Sequence, residues 1–278
     1  MRRQSVSTGR PNVIGAALSF VWLAIVILPI YYIVVTSFRP QSMFYFENPL
    51  SIPSEPTLGA YQRVLENKFL LYFGNSLFVT IVAVAILLLA SVMASYYIVR
   101  STSKAAQALF SVILLGLAIP MQATIIPVYY MIVQMGLYDT LWALVLPSVG
   151  FAIPITVLIL VNFMRDIPKE LFESMKVDGA SDMKILLRLV LPLSKSALVT
   201  VGIYDALNVW NGFMFPLVLT QSSNKRVLPL SLWSYQGEFQ VDIPAVLAAV
   251  VLSVLPLLAA YIVGRRQLVA GLTAGFGK

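Results

Sequence analysis

No cysteine and no histidine occur among the 278 residues, and charged side chains make up only 11% of them. The first two absences exclude disulfides, thiolate zinc sites, imidazole bases and the Ser-His or Cys-His pairs of nucleophilic catalysis. A side-chain catalytic centre or a metal site is therefore not expected, and the chain does not read as an enzyme. The scarcity of charge, against 59% hydrophobic residues, excludes a soluble domain able to solvate its own surface. Lipid is the expected solvent. Period-2 alternation is also missing, which excludes an outer-membrane barrel. The formal net charge of +7 does not mark a nucleic-acid face, because Lys and Arg lie between apolar runs rather than on one surface.

What is present is a series of apolar stretches, each near the roughly 20 residues that cross a bilayer core. They lie near 13–35, 77–99, 105–135, 141–164, 197–219 and 243–263. Each is apolar on all faces, and backbone polar groups in lipid must be satisfied within their own segment, so all six read as helices. The fold class is all-α integral membrane, one domain over 1–278. The first stretch follows Arg2, Arg3 and Arg10 as a signal peptide would, yet it is longer than a cleavable core and lacks a small-residue cleavage site, so it reads as a signal anchor.

Orientation follows from the basic residues. One side carries Arg2, Arg3 and Arg10, then Arg100 and Lys104, then the basic residues between Arg165 and Lys195, then Arg265, Arg266 and Lys278. The other carries Arg39, Arg63, Lys68, Lys225 and Arg226. Both termini and the 165–196 loop are expected in the cytoplasm of a multi-pass cell-membrane protein, and 38–76 outside. Prolines interrupt the third stretch (Pro120, Pro127), the fourth (Pro147, Pro154), the fifth (Pro216) and the sixth (Pro256). Each removes a backbone donor, so these are expected kinks that either shape a bundle or line a path through it.

Charge of both signs returns in residues 165–195, RDIPKELFESMKVDGASDMKILLRLVLPLSK. Two short helices are expected. Asp166 is placed to cap the first and Pro168 suits an early helical position, while Gly179 after Asp178 suits a left-handed terminator. Ser181 or Asp182 would cap the second, whose Met183, Leu186, Leu187 and Val190 fall at helical spacing as one apolar stripe, with Pro192 stopping or bending it. Helices this short need something to pack on. Either they lie flat at the lipid surface or they seat against protein.

Spacing within this loop resembles the permease subunits of ABC importers, whose cytoplasmic motif reads E-A-A, three residues, G, nine residues, then I-x-L-P. Here Glu173-Ser174-Met175 is followed by Gly179, Leu189, Leu191 and Pro192 at that spacing, with Ser174 and Met175 in place of the alanines and Leu189 in place of isoleucine. The run Asp178-Gly179-Ala180-Ser181 is similar to the version found in carbohydrate importers. The tail GRRQLVAGLTAGFGK, through Arg265, Arg266, Gly271, Leu272, Thr273 and Gly275, resembles that of maltose-type sugar permeases, and NPLSIPSEPTLGAYQRVL looks like the loop after their first span. The tail glycines do not form a phosphate loop, since Gly271 and Gly277 stand one residue too far apart.

The resemblance implies a type I ABC importer permease bundle of six transmembrane helices with cytoplasmic coupling helices. The 173–192 loop would dock in a cleft of a separate ATPase, Glu173 as a docking carboxylate, with the C-terminal tail turned toward the same subunit. The implied partners are a similar but distinct second permease, two copies of an ABC ATPase and an extracytoplasmic solute-binding protein. No cofactor is expected on this chain, ATP and Mg belonging to the ATPase. The implied cargo is a sugar or oligosaccharide. Another solute such as glycerol phosphate or an osmolyte is the alternative, and an ion-coupled secondary transporter a further one. That last reading wants several buried carboxylates or internal repeats, whereas no repeat is found and the spans offer Asp205 alone.

An intramembrane carboxylate is a functional candidate by default. Asp205 shares its stretch with Asn208, Trp210 and Asn211, and Tyr204, Asn208, Asn211 and Phe215 fall on one face by helical spacing. Amides and aromatic rings suit a sugar's hydroxyls and C–H faces, so Tyr204, Asp205, Asn208, Trp210 and Asn211 form a candidate substrate path. The alternative is hydrogen bonding between packed helices.

Overall fold

The computed structural model describes residues 13–235 and 241–276. Among the described residues every regular element is a helix, which is the only open way to satisfy the backbone of such an apolar chain in lipid. The helices are α1 (Val13–Ser37), α2 (Gly59–Glu66), α3 (Phe69–Arg100), α4 (Lys104–Leu115), α5 (Ile125–Gln134), α6 (Trp142–Arg165) and α7 (Lys169–Val177). They continue as α8 (Asp182–Ile185), a π-helical turn at Leu186–Val190, α9 (Leu191–Leu193), α10 (Lys195–Trp210), α11 (Met214–Leu219), α12 (Leu228–Ser231) and α13 (Ile243–Phe276). The chain groups into two compact units, Met1–Asn67 with Tyr235–Leu252, and Lys68–Ser234 with Ser253–Lys278.

In the first unit, α1 is apolar on every side and its most apolar window has no residue buried by protein. The turn beyond it is built on one cation. Arg39 is fully buried, its Nε 2.9 Å from Glu47, and its Nη2 donates to the carbonyls of Asn48 at 3.0 Å and Ser51 at 2.8 Å. Farther on, Arg63 pairs with Asp242 at 2.7 Å. Asp242 also accepts from the Ala245 amide at 3.1 Å, satisfying one of the donors left open where α13 begins.

In the second unit, α3 runs against α6 and α10. Val79, Ala83 and Leu87 of α3 pack with Leu144, Val145 and Val149 of α6, Ile132 of α5 and Phe215 of α11. The helix α3 begins at Phe69, well before the expected 77, because its polar residues there are used rather than exposed. Asn75 donates to the carbonyls of Asn224 and Arg226 at 2.9 and 2.8 Å, and Ser76 accepts from the Leu228 amide at 2.8 Å.

Four helical segments are long and apolar enough to cross a membrane: Val13–Ser37, Phe69–Arg100, Trp142–Arg165 and Ile243–Ile262. The third expected span is a bent pair, a second bent pair overlaps the fifth but begins upstream of it at Asp182, and the count reaches six when each pair is taken as one crossing. Lys104–Ala118 and Met121–Gln134 meet at 97°. Pro120 opens the second piece in extended conformation, while Pro127 sits in the first turn of α5 and needs no donor. At this break Gly116 passes so close to α6 that a Cβ would lie 2.7 Å from Pro154 Cγ. Asp182–Leu193 and Lys195–Trp210 meet at 76°. The expected 197–219 helix stops at Trp210 and resumes at Met214. There Asn211 turns its amide onto the Leu207 carbonyl, and Pro216 has no N–H for the carbonyl of Gly212. By contrast, α6 runs unbroken through Pro147 and Pro154, and α13 through Pro256.

Candidate functional site

The 165–196 loop folds as two helices around a glycine. Met175, Lys176, Gly179 and Ala180 close α7 by a Schellman pattern, in which the Ala180 amide bonds the Met175 carbonyl at 2.9 Å and the Gly179 amide bonds that of Lys176 at 3.0 Å. Gly179 has φ +72°, and Met175 and Ala180 supply the accompanying apolar contact within one cluster. Ser181 then caps α8, its hydroxyl accepting from the Lys184 amide at 3.3 Å. The start of α7 departs from expectation. Pro168 itself is the N-cap, and Asp166 ends α6 instead, because α6 runs on to Arg165 and leaves only two residues before the proline.

The inner side of this module is seated on protein. Phe172 of α7, with Ile185, Leu186 and Val190, packs with Val92 of α3, Leu160 and Met164 of α6 and Val201 of α10. Arg100 at the end of α3 places its guanidinium 4.6 Å from the centre of the Phe172 ring, and the Tyr96 hydroxyl donates to Asp182 at 3.3 Å. The expected stripe is only half right. Leu186 and Val190 are buried, but Met183 is 57% and Leu187 55% exposed, their place taken by Ile185. The π-turn explains the change, since its i to i+5 bonding shifts the helical phase across 186–190. Pro192 neither stops nor bends the helix; the bend falls at Ser194, between α9 and α10.

Of the residues in the spacing motif, Glu173, Ser174, Asp178, Gly179 and Pro192 are exposed, whereas Met175, Ala180, Leu189 and Leu191 are partly buried around the cluster. The module thus has a packed inner face and an outer face carrying Glu173, Val177, Gly179 and Met183, with Val177 87% exposed.

A second feature is a cavity of about 330 Å³ lying between α3, α6, α10 and α11. Tyr204, Asp205 and Asn208 line it from α10, and Phe213 and Phe215 from the break beyond. Asp205 is 1% exposed, and Thr156 of α6 donates to its Oδ2 at 2.9 Å. Trp210 and Asn211 are not among the lining residues. Trp210 is buried edge-on against Phe73 at 5.7 Å and donates to the Ser253 carbonyl at 3.2 Å, a packing role. Asn211 lies past the end of α10, so helical spacing no longer places it beside Asn208. Ser76, Ser148 and Thr156 escaped the sequence reading. Ser148 and Thr156 stand eight residues apart, on one face of α6, and that pair of polar side chains in an apolar span was the available signal.

In the tail, the backbone of α13 continues to Phe276 and Arg265 is exposed, while the side chains of Arg266, Leu272 and Thr273 and the surroundings of Gly271 and Gly275 lie outside what is described. Arg2, Arg3, Arg10 and Lys278 lie outside the described residues.

The sequence profile of the family described as "Binding-protein-dependent transport system inner membrane component" matches residues 86–269. The chain is 41% identical to the ABC transporter permease protein ORF2 of Caldicellulosiruptor sp. (strain Rt8B.4), over 92% of this chain and 93% of that one. It is 28% identical to the diacetylchitobiose uptake system permease protein NgcG of Streptomyces coelicolor, over 99% and 91%. Its fold is similar to that of a chain in a bacterial ABC transporter involved in the import of the acidic polysaccharide alginate, with a TM-score of 0.82, 23% identity, and coverage of 92% of this chain and 95% of that one.

Proposed function

The chain belongs to the family of binding-protein-dependent transport system inner membrane components, and from that premise we propose that it is the permease of an ATP-driven sugar importer, coupled to its motor through the α7–Gly179–α8 module. It is a multi-pass membrane protein and a transporter subunit, not an enzyme. The observation that carries the coupling role is a two-faced module. Its inner face is locked to α3, α6 and α10, and its outer face presents Glu173, Val177 and Met183 around a glycine turn.

Such a module passes force. A partner ATPase gripping the outer face would move α3 and α6 through Phe172 and Ile185 as packed bodies, because a close-packed interior transmits displacement. Glu173 is the docking carboxylate, and the tail from Arg265 onward turns toward the same subunit. Both termini are cytoplasmic. ATP and Mg are held by the ATPase, in two copies, and this chain pairs with a similar but distinct permease and receives cargo from an extracytoplasmic binding protein. The cavity at Tyr204, Asp205 and Asn208 lies on the path.

Sugar cargo is supported by relatives named for diacetylchitobiose and arabinooligosaccharide transport. The test is a reconstituted complete transporter carrying Glu173→Lys. The expected result is normal insertion and assembly with sugar uptake reduced at least tenfold. Wild-type uptake together with wild-type substrate-stimulated ATP hydrolysis would refute the coupling role.

A further inference from the structure

The cavity has one carboxyl group among its lining residues, Asp205, and no lysine or arginine. The remaining polar groups are neutral: Ser76 and Ser148, the amide of Asn208 and the phenol of Tyr204, set among Phe151, Phe213 and Phe215. Its volume of about 330 Å³ is that of a small-ligand site. We infer that Asp205 makes this cavity a charge filter, so that the permease carries neutral or amino-bearing sugars and rejects uronates and sugar phosphates.

The inference rests on the sugar-importer reading and follows from solvation. An anion entering from water gives up its hydration and meets no cation in the lining, while a hydroxyl needs only an acceptor or donor of the kind that Asn208 and Ser148 supply. Asp205 sharpens the difference. Its carboxyl is buried and held by Thr156, and in its ionised form it repels a second carboxylate or a phosphate brought beside it at low dielectric and attracts an ammonium. Among the described residues no cation pairs with Asp205 to cancel that field. The same argument weighs against glycerol phosphate as cargo.

The absence of cysteine from the chain allows a direct test. In the assembled transporter, Ser148→Cys places one thiol of this subunit on the cavity wall, and its rates of modification by a cationic and an anionic methanethiosulfonate of similar size are compared with those of a free thiol. Labelling is followed on this subunit alone, with and without ATP. The expected normalised preference for the cation is at least tenfold, falling below threefold when Asp205→Asn is added. Asp205→Thr, which keeps a hydroxyl for Thr156, replaces that variant if it fails to assemble. An undiminished preference without the carboxylate overturns the inference, as does failure of both reagents to reach the thiol in either nucleotide state. Uptake of a neutral sugar is scored separately. A charge preference without any sugar uptake would refute the sugar reading and leave the filter standing.

Discussion

Arg100 covers the ring of Phe172, its guanidinium carbon 4.6 Å from the ring centre, and so joins the C-terminal end of α3 to α7. The ring is 2% exposed, and Phe172→Ala should cost about 3–5 kcal/mol as a buried cavity. Arg100→Ala removes a contact worth only about 0.5–2 kcal/mol. In the purified transporter, thermal unfolding should therefore fall markedly for the first variant and slightly for the second. For Arg100→Ala, limited proteolysis should nonetheless accelerate within 165–181.

Gly179 should tolerate side chains according to backbone preference rather than size. A Cβ there meets nothing within 4 Å, so the penalty is the positive φ alone, about 1–2 kcal/mol for an ordinary residue. Gly179→Val should reduce uptake severely, and Gly179→Asn should retain most of it, because Asn enters the left-handed region readily. Uptake per ATP hydrolysed, measured on both variants at equal membrane levels, distinguishes backbone strain from crowding.

Asp139, itself at φ +59°, ties the turn before α6 to the segment after α11. Its carboxylate accepts from the Ser222 hydroxyl and from the amides of Gln221 and Ser222 at 2.8 and 2.9 Å, and these bonds, the hydroxyl first, hold it below the usual aspartate range. A lowered folded pKa contributes stability above the unfolded value and loses it as the pH falls through the folded one. Asp139→Asn should accordingly speed amide exchange at Gln221 and Ser222 at neutral pH. The difference from wild type should shrink in acid and vanish only once the pH is below the lowered pKa of the folded Asp139.

Arg39→Met should loosen the turn beyond α1, because Glu47 and the carbonyls of Asn48 and Ser51 lose a buried guanidinium, while Ser54 still donates to Glu47. Protease sensitivity within 40–56 should rise. The double variant Arg39→Met with Glu47→Leu should recover part of the loss, since removing both charges is less costly than removing one.

Legibility in the sequence tracked how local each cause is. The unbroken spans follow from hydropathy, and Gly179 and Ser181 from residue chemistry at single positions. The break at Pro120 was marked by the proline itself, whereas the one at Asn211–Gly212 was hidden because an apolar average is blind to bends. The π-turn was hidden because it is a choice made by packing, and it moved Ile185 inward and Leu187 outward. Arg39 carried no local sign of burial, as its partners Asn48 and Ser51 lie 9 and 12 residues on. Asp205 was marked by its charge within an apolar helix, but Thr156, 49 residues away, could be joined to it only by the fold.

The central claim is that the outer face of the module docks on an ATPase. Val177→Cys, at an 87% exposed position in a chain without native cysteine, can be cross-linked by a short bifunctional reagent in native membranes. The account predicts a product between this chain and the ATP-binding subunit, absent when the thiol is placed at Ser222 instead. A cross-link to that subunit from Ser222 and none from Val177 would contradict it.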